Sequence, residues 1–184
     1  MNFENVFSGS VILITTKRMG DERGWFSEIF REDLFRSAVG EFDFVQHNQS
    51  HSRHRGTVRG LHFQLEPHAQ GKLVRCLRGR VLDVAVDLRT SSPTFGRHVA
   101  IELSPDNGRQ IWVPPGFAHG FCTLEDDSEL AYMVTAYYSP EHDRGLRWND
   151  PALGIDWLIG EADAVLSPKD KVQPLLAELG PVFA

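Results

Sequence analysis

The sequence predicts an all-β protein, an antiparallel sandwich or barrel. Its middle breaks into short apolar runs, several of which alternate apolar and polar residues as half-buried strands do. Turn residues part these runs about every dozen residues, the rhythm of sandwiches and barrels. Helical patterning occurs at two places only. In chain order, the predicted strands are Val11–Thr15, Trp25–Phe30, Phe44–Gln49, Gly56–Phe63, Lys72–Leu77, Arg80–Leu88, Val99–Leu103, Gln110–Val113, Ala118–Thr123 and Leu130–Tyr137. The clearest is the run from Val81 to Leu88, with Val84, Val86 and Leu88 on one side of the pleat. The breaks are Arg78-Gly79, Ser91-Ser92-Pro93, Pro105-Asp106-Asn107-Gly108, Pro114-Pro115-Gly116 and Ser139-Pro140. Asp33–Val39 reads as a short helix with Leu34, Phe35 and Ala38 on one face, closed by Gly40. Ser167-Pro168 reads as an N-cap followed by an N1 proline, opening a second helix over Lys169–Leu179.

The 184 residues suit a single domain, 1–184, with no repeat, linker or low-complexity segment. A net charge of −6 argues against wholesale nucleic-acid binding, which leaves a basic excess. The apolar run Val11–Ile14 is too short for a signal sequence, and no run approaches the ~20 residues of a membrane helix. Cys76 and Cys122 lie far apart in apolar stretches, so two reduced, buried thiols in a cytoplasmic protein are expected.

Eight histidines pose the functional question, because five of them, His47, His51, His54, His62 and His68, fall close together. His51 and His54 sit in the polar stretch Ser50–Arg55, which reads as a loop at the surface. On a strand, His47 faces opposite to Gln46 and Asn48. His62 shares a face with Gly60 and Gln64 while Leu61 and Phe63 face the other way, so a polar face lines a barrel interior or a carbonyl satisfies a buried histidine. The spacing Gly56…His62 and the turn Pro115-Gly116-Phe117-Ala118-His119 resemble the pattern of cupin barrels. Metal-binding cupins place a second histidine two residues after the first. Here that position is Gln64, a poor ligand for transition metals, and Glu66 is followed by Pro67. The fold signal survives and the metal signal fails.

The ordered motifs carry a closer likeness. Val58-Arg59-Gly60-Leu61-His62-Phe63-Gln64, Gln70-Gly71-Lys72-Leu73-Val74-Arg75-Cys76 and the run from Gly79 to Arg89 resemble the dTDP-4-dehydrorhamnose 3,5-epimerase family. Further matches are Ser91–Gly96, Pro114–Phe121, Trp148-Asn149-Asp150-Pro151 and, upstream, Asp21–Glu28. The likeness extends from about residue 3 to Leu176, nearly the whole chain. It implies a cupin-type antiparallel β-barrel, a jelly roll, with short helices near both termini. It also implies a homodimer and a reaction without cofactor or metal.

The implied reaction is epimerisation next to the C4 ketone of dTDP-4-dehydro-6-deoxyglucose. It needs a base on one face, an acid on the other and a cation at the enolate oxygen. The resemblance assigns His62 as base, Asp170 as its carboxylate partner, Tyr132 as acid and Lys72 as the cation near the C4 oxygen. It assigns Arg23 and Arg59 to the diphosphate, and Glu28, Gln46 and Asn48 to the nucleotide. His119 becomes a pocket donor, Phe26 and Tyr138 pack on thymine or its sugar, and Asp143 and Lys169 make peripheral contacts. The chain departs from several relatives at His47, where they carry Asp, and at Gln49, where they carry His. The competing readings are an epimerase of C3 or C5 alone, a metal-dependent cupin, and a cupin that binds sugar nucleotides without catalysis.

Overall fold

A computed structural model describes residues 1–184. Six strands build one antiparallel sheet: β1 (Asn2–Phe7), β2 (Val11–Thr15), β10 (Arg109–Val113), β7 (Lys72–Arg78), β12 (Ser128–Val134) and β5 (Gln46–Ser52), in that order across it. Five more build the second: β13 (Asp143–Gly145), β6 (Val58–Gln64), β11 (Phe117–Thr123), β8 (Val81–Asp87) and β9 (His98–Leu103). A hairpin of β3 (Met19–Asp21) and β4 (Gly24–Phe26) stands apart, α1 covers Glu32–Ala38 and α2 covers Leu176–Leu179. This is the jelly-roll barrel that the sequence predicts.

The period-2 pattern sorts the side chains into three layers. Between the sheets lie Val11, Val74, Val81, Ala85, Leu103, Ile111, Val113, Phe117, Phe121 and Leu130, drawn from both. Outside the five-stranded sheet, Leu61, Phe63, Leu82, Val84, Val86 and Leu88 meet Trp148, Leu153, Trp157 and Phe183 of the C-terminal segment. Outside the six-stranded sheet, Ile12, Ile14, Leu73 and Trp112 bury Phe35 of α1, with Phe30, Phe42 and Phe44 around it. β8 shows the sorting well: Leu82, Val84 and Val86 face outward, which turns Asp83 and Asp87 into the barrel.

Several expectations are corrected. The strand expected over Trp25–Phe30 ends at Phe26, because Ile29 gives its carbonyl to the Gln110 amide of β10 rather than to a ladder partner. β5 runs on to Ser52, so His51 lies in a strand paired with Glu129, not in a loop. Asn2–Phe7 forms an edge strand that the sequence did not reveal. The helix expected over Lys169–Leu179 is a single 3₁₀ turn at Asp170–Val172 and the short α2. Pro174 has no N–H to continue the first turn, and its carbonyl accepts from the Arg147 N–H at 2.8 Å instead.

Two crossings fix where the site forms. Gly60 has φ +132°, and a Cβ there would stand 2.6 Å from the Gly120 Cα, so β6 and β11 touch backbone to backbone. The register of β11 shifts between His119 and Phe121, which leaves His119 opposite His62. On β13, a Cβ at Gly145 would lie 2.2 Å from the Gln173 side chain, so the missing side chain admits the segment that carries Asp170.

Candidate active site

At one end the barrel interior turns from apolar to polar. His62 projects inward from β6, Lys72 from β7, His119 from β11 and Tyr132 from β12. Two adjoining cavities of about 320 and 260 Å³ share His62, Lys72 and Tyr132 as walls. The first adds Gln46, Asn48, Gln64, Tyr138 and Asp143; the second adds Ser50, Arg59, His119, Ser167 and Asp170. A larger cavity of about 570 Å³ lies among the loops from Arg147 to Glu161. It contains no histidine, lysine or tyrosine, so size does not mark the chemistry here.

His62 and Asp170 are 108 residues apart and meet at 2.5 Å, Nε2 to Oδ1. The other carboxylate oxygen accepts from Ser167 Oγ at 2.8 Å, and the Asp170 N–H donates to the same Ser167 oxygen at 3.1 Å. Burial on its own would raise the Asp170 pKa, but hydrogen bonds from His62 and Ser167 outweigh it and hold the carboxyl below its ordinary value. Asp170 is therefore anionic, and its contact with Nε2 fixes the orientation of the imidazole. Nδ1 of His62 has no protein partner and is free to act in the cavity.

Lys72 is 9% exposed, and its ammonium donates to the His62 carbonyl at 3.3 Å. Burial lowers its pKa to about 8, against the pull of Asp143 and Asp83. Burial also raises the Tyr132 pKa, with Arg59 opposing, so the phenol keeps its proton at neutral pH. His119 gives Nε2 to both oxygens of Asp83, at 2.9 and 3.0 Å.

The remaining expected residues divide into two groups. Arg59 reaches Ser52 Oγ at 3.1 Å and the His51 carbonyl at 3.0 Å. Gln46 donates to Asn48 Oδ1 at 2.8 Å. The Tyr138 hydroxyl donates to Asp143 at 3.0 Å, and Lys169 pairs with the same carboxylate. Arg23, Phe26 and Glu28 line neither cavity: Arg23 pairs with Asp21 at 2.6 Å in the hairpin, Phe26 is 66% exposed and Glu28 is exposed. His47 faces outward, away from Gln46 and Asn48.

Sequence reasoning missed Asp83, Ser167 and the work of Gln64. Alternation along β8 was the signal for Asp83, since it alone sets that carboxylate opposite Leu82 and Val84. For a metal, the donor set does not fit. Gln64 spends its amide on backbone groups of His68, Tyr137 and Ser139, and no group of three His, Cys, Asp or Glu side chains comes together.

Known proteins resemble the chain over nearly its whole length. The family model described as dTDP-4-dehydrorhamnose 3,5-epimerase matches residues 8–178. A protein of that name from Sinorhizobium fredii is 58% identical over 179 residues, covering 97% of this chain and 91% of its own. A crystal structure from Legionella pneumophila, described as a dTDP-6-deoxy-D-glucose-3,5-epimerase in complex with dTDP-4-keto-L-rhamnose, superposes with a TM-score of 0.92 at 45% identity, over 97% of this chain and 94% of that one. A protein from Streptomyces niveus named dTDP-4-dehydrorhamnose 3-epimerase is 40% identical over 166 residues, 90% of this chain and 79% of its own. From its polar barrel mouth to its outer layers, the chain belongs to the dTDP-4-dehydrorhamnose 3,5-epimerase family.

Proposed function

We propose that this protein is an isomerase that inverts C3 and C5 of dTDP-4-dehydro-6-deoxy-D-glucose, giving dTDP-4-dehydro-L-rhamnose for dTDP-rhamnose biosynthesis. One observation carries the reading: a histidine oriented by an anionic carboxylate shares a cavity with a desolvated lysine and a protonated tyrosine. His62 removes the proton from the carbon beside the ketone. The C–H electron pair moves toward C4 and onto its oxygen, forming an enolate. The Lys72 ammonium stabilises that oxygen in a site where water does not screen it. Tyr132 gives its proton to the opposite face of the same carbon; the His62 imidazolium then releases a proton to solvent and the phenolate regains one, which resets the site for the other centre. Each centre loses one proton and gains one, so the product is an isomer and no redox partner is needed.

Arg59 and His119 serve the sugar–diphosphate end, with Gln46, Asn48, Tyr138, Asp143 and Lys169 around the nucleotide. Arg23, Phe26 and Glu28 belong to the nucleotide site of a homodimer in this reading. A second copy would bring them there on the exposed hairpin, whose Trp25 and Phe26 are 59% and 66% exposed. Cys76 and Cys122, pushed up to about 11 by burial, suit a single-domain enzyme of the cytoplasm.

The test is NMR of the keto-sugar nucleotide with the enzyme in deuterated water, with a chelator present. Deuterium at both C3 and C5 of the product is expected. Deuterium at one carbon alone would make this a single-site epimerase like its Streptomyces niveus relative. An absence of exchange would overturn the reading.

A further inference from the structure

The peptide of Tyr138 is held by two glutamines that come from opposite sheets. Gln64, at the end of β6, donates from Nε2 to the His68 carbonyl at 2.7 Å and to the Tyr137 carbonyl at 3.2 Å. Its Oε1 accepts from the Ser139 N–H at 2.8 Å. Gln46, at the start of β5, accepts the Tyr138 N–H at 3.0 Å. The Tyr137 carbonyl, the Tyr138 N–H and the Ser139 N–H are thus each tied to a side-chain amide.

Gln64 is 3% exposed and both its donors are spent on backbone, so it has no N–H left for a ligand. The ring it anchors is the reverse: Tyr138 is 56% exposed, yet its hydroxyl is fixed on Asp143 at 3.0 Å. An exposed aromatic on an immobile backbone is a stacking platform whose ordering has been settled before a ligand arrives.

We infer that Gln64 is a positioning residue for nucleotide binding, which acts by presetting Tyr138 at the mouth of the cavity. The inference rests on the epimerase reading above and deepens it. The position that holds a ligand in metal-binding cupins here joins two loops. Gln46, expected from the sequence to touch the nucleotide, shares the same task from the facing sheet.

The experiment compares wild type, Gln64→Glu, Tyr138→Ala and the double variant. Gln64→Glu keeps an acceptor for Ser139 but replaces the nitrogen that carries both donors with one oxygen that faces two carbonyls. KM for the keto-sugar nucleotide and Kd for dTDP should each rise about tenfold, with kcat within about twofold, the mark of lost uniform binding. In the Tyr138→Ala background the same change should add almost nothing, because one path carries both effects. Additive effects, or a fall in kcat with KM unchanged, would overturn the inference. Should the glutamate variant fail to fold, Gln64→Met removes the donors without adding charge and is read in the same way. Wild type that neither binds dTDP nor exchanges protons overturns the epimerase reading and this one together; wild type that does both while Gln64→Glu matches it overturns this one alone.

Discussion

Two His–Asp pairs stand within the barrel mouth on facing positions of β6 and β11, and they are built in opposite ways. His62 meets one oxygen of Asp170, and Ser167 holds the other. The His62 side chain remains 31% exposed, with a ring nitrogen free toward the cavity. His119 closes both oxygens of Asp83, and the pair is 8% and 0% exposed. Asp83 comes from the neighbouring strand of the same sheet, whereas Asp170 arrives from a 3₁₀ turn laid over the barrel end. The same two residue types thus leave a ring nitrogen open to the cavity in one place, as the proposed base requires, and close the carboxylate off in the other. What separates them is which groups around the ring are already satisfied.

The sharpest way to break this comparison is to substitute the histidines in parallel. His62→Asn should lower kcat by about a thousandfold or more, as loss of a general base does. His119→Asn should act mainly on KM and leave deuterium exchange measurable. If both variants stop exchange equally, the two pairs are not distinct. The carboxylates give the next largest contrast. Asp170→Asn should cost about a hundredfold in kcat, because a neutral amide can hold the ring but does not stabilise the charge that develops on it as it takes the proton. Asp83→Asn should change kcat by less than about fivefold, but lower the melting temperature through a weakened buried hydrogen bond worth about 1–2 kcal/mol. A kcat loss at Asp83 equal to that at Asp170 would refute the division.

Lys72 links the two pairs, and its titration gives the smallest predicted effect. Its charge is lost as pH rises through about 8, so kcat should fall on that side of neutrality. Asp83 supports the lysine's charge, so Asp83→Asn should move the fall to lower pH. Between about 8 and the ordinary 10.5 the unfolded chain binds the proton more readily, so this site stabilises the fold as pH rises across that window. Below 8 the buried charge costs up to about 3 kcal/mol. Lys72→Met should therefore melt higher than wild type at pH 7 while turning over far more slowly, as a melting curve and an exchange assay at one pH would establish.

Alternation made most strands and the inward face of His62 legible from sequence, because a period of two follows from the pleat itself. The edge strand Asn2–Phe7 was not legible, since its polar residues alternate too weakly to show a buried face. The broken C-terminal helix was misread because Ser167-Pro168 begins a turn that Pro174 and the docking on Arg147 then stop. Asp170 entered only through family likeness, since nothing local joins it to His62 across 108 residues. Gln64 was legible as a missing metal ligand, but not as a tie between loops, because its partners are backbone groups that any sequence possesses.

That long separation also orders events during synthesis. A ribosome delivers the chain from its N-terminus, so β6 and the barrel strands emerge well before Asp170 does. Until the segment around Ser167 settles over β6 and Gln173 seats against Gly145, His62 has no carboxylate to orient it. In the proposed reaction, a nascent barrel thus carries an unoriented base, and proton abstraction reaches its full rate only when the last part of the fold is in place.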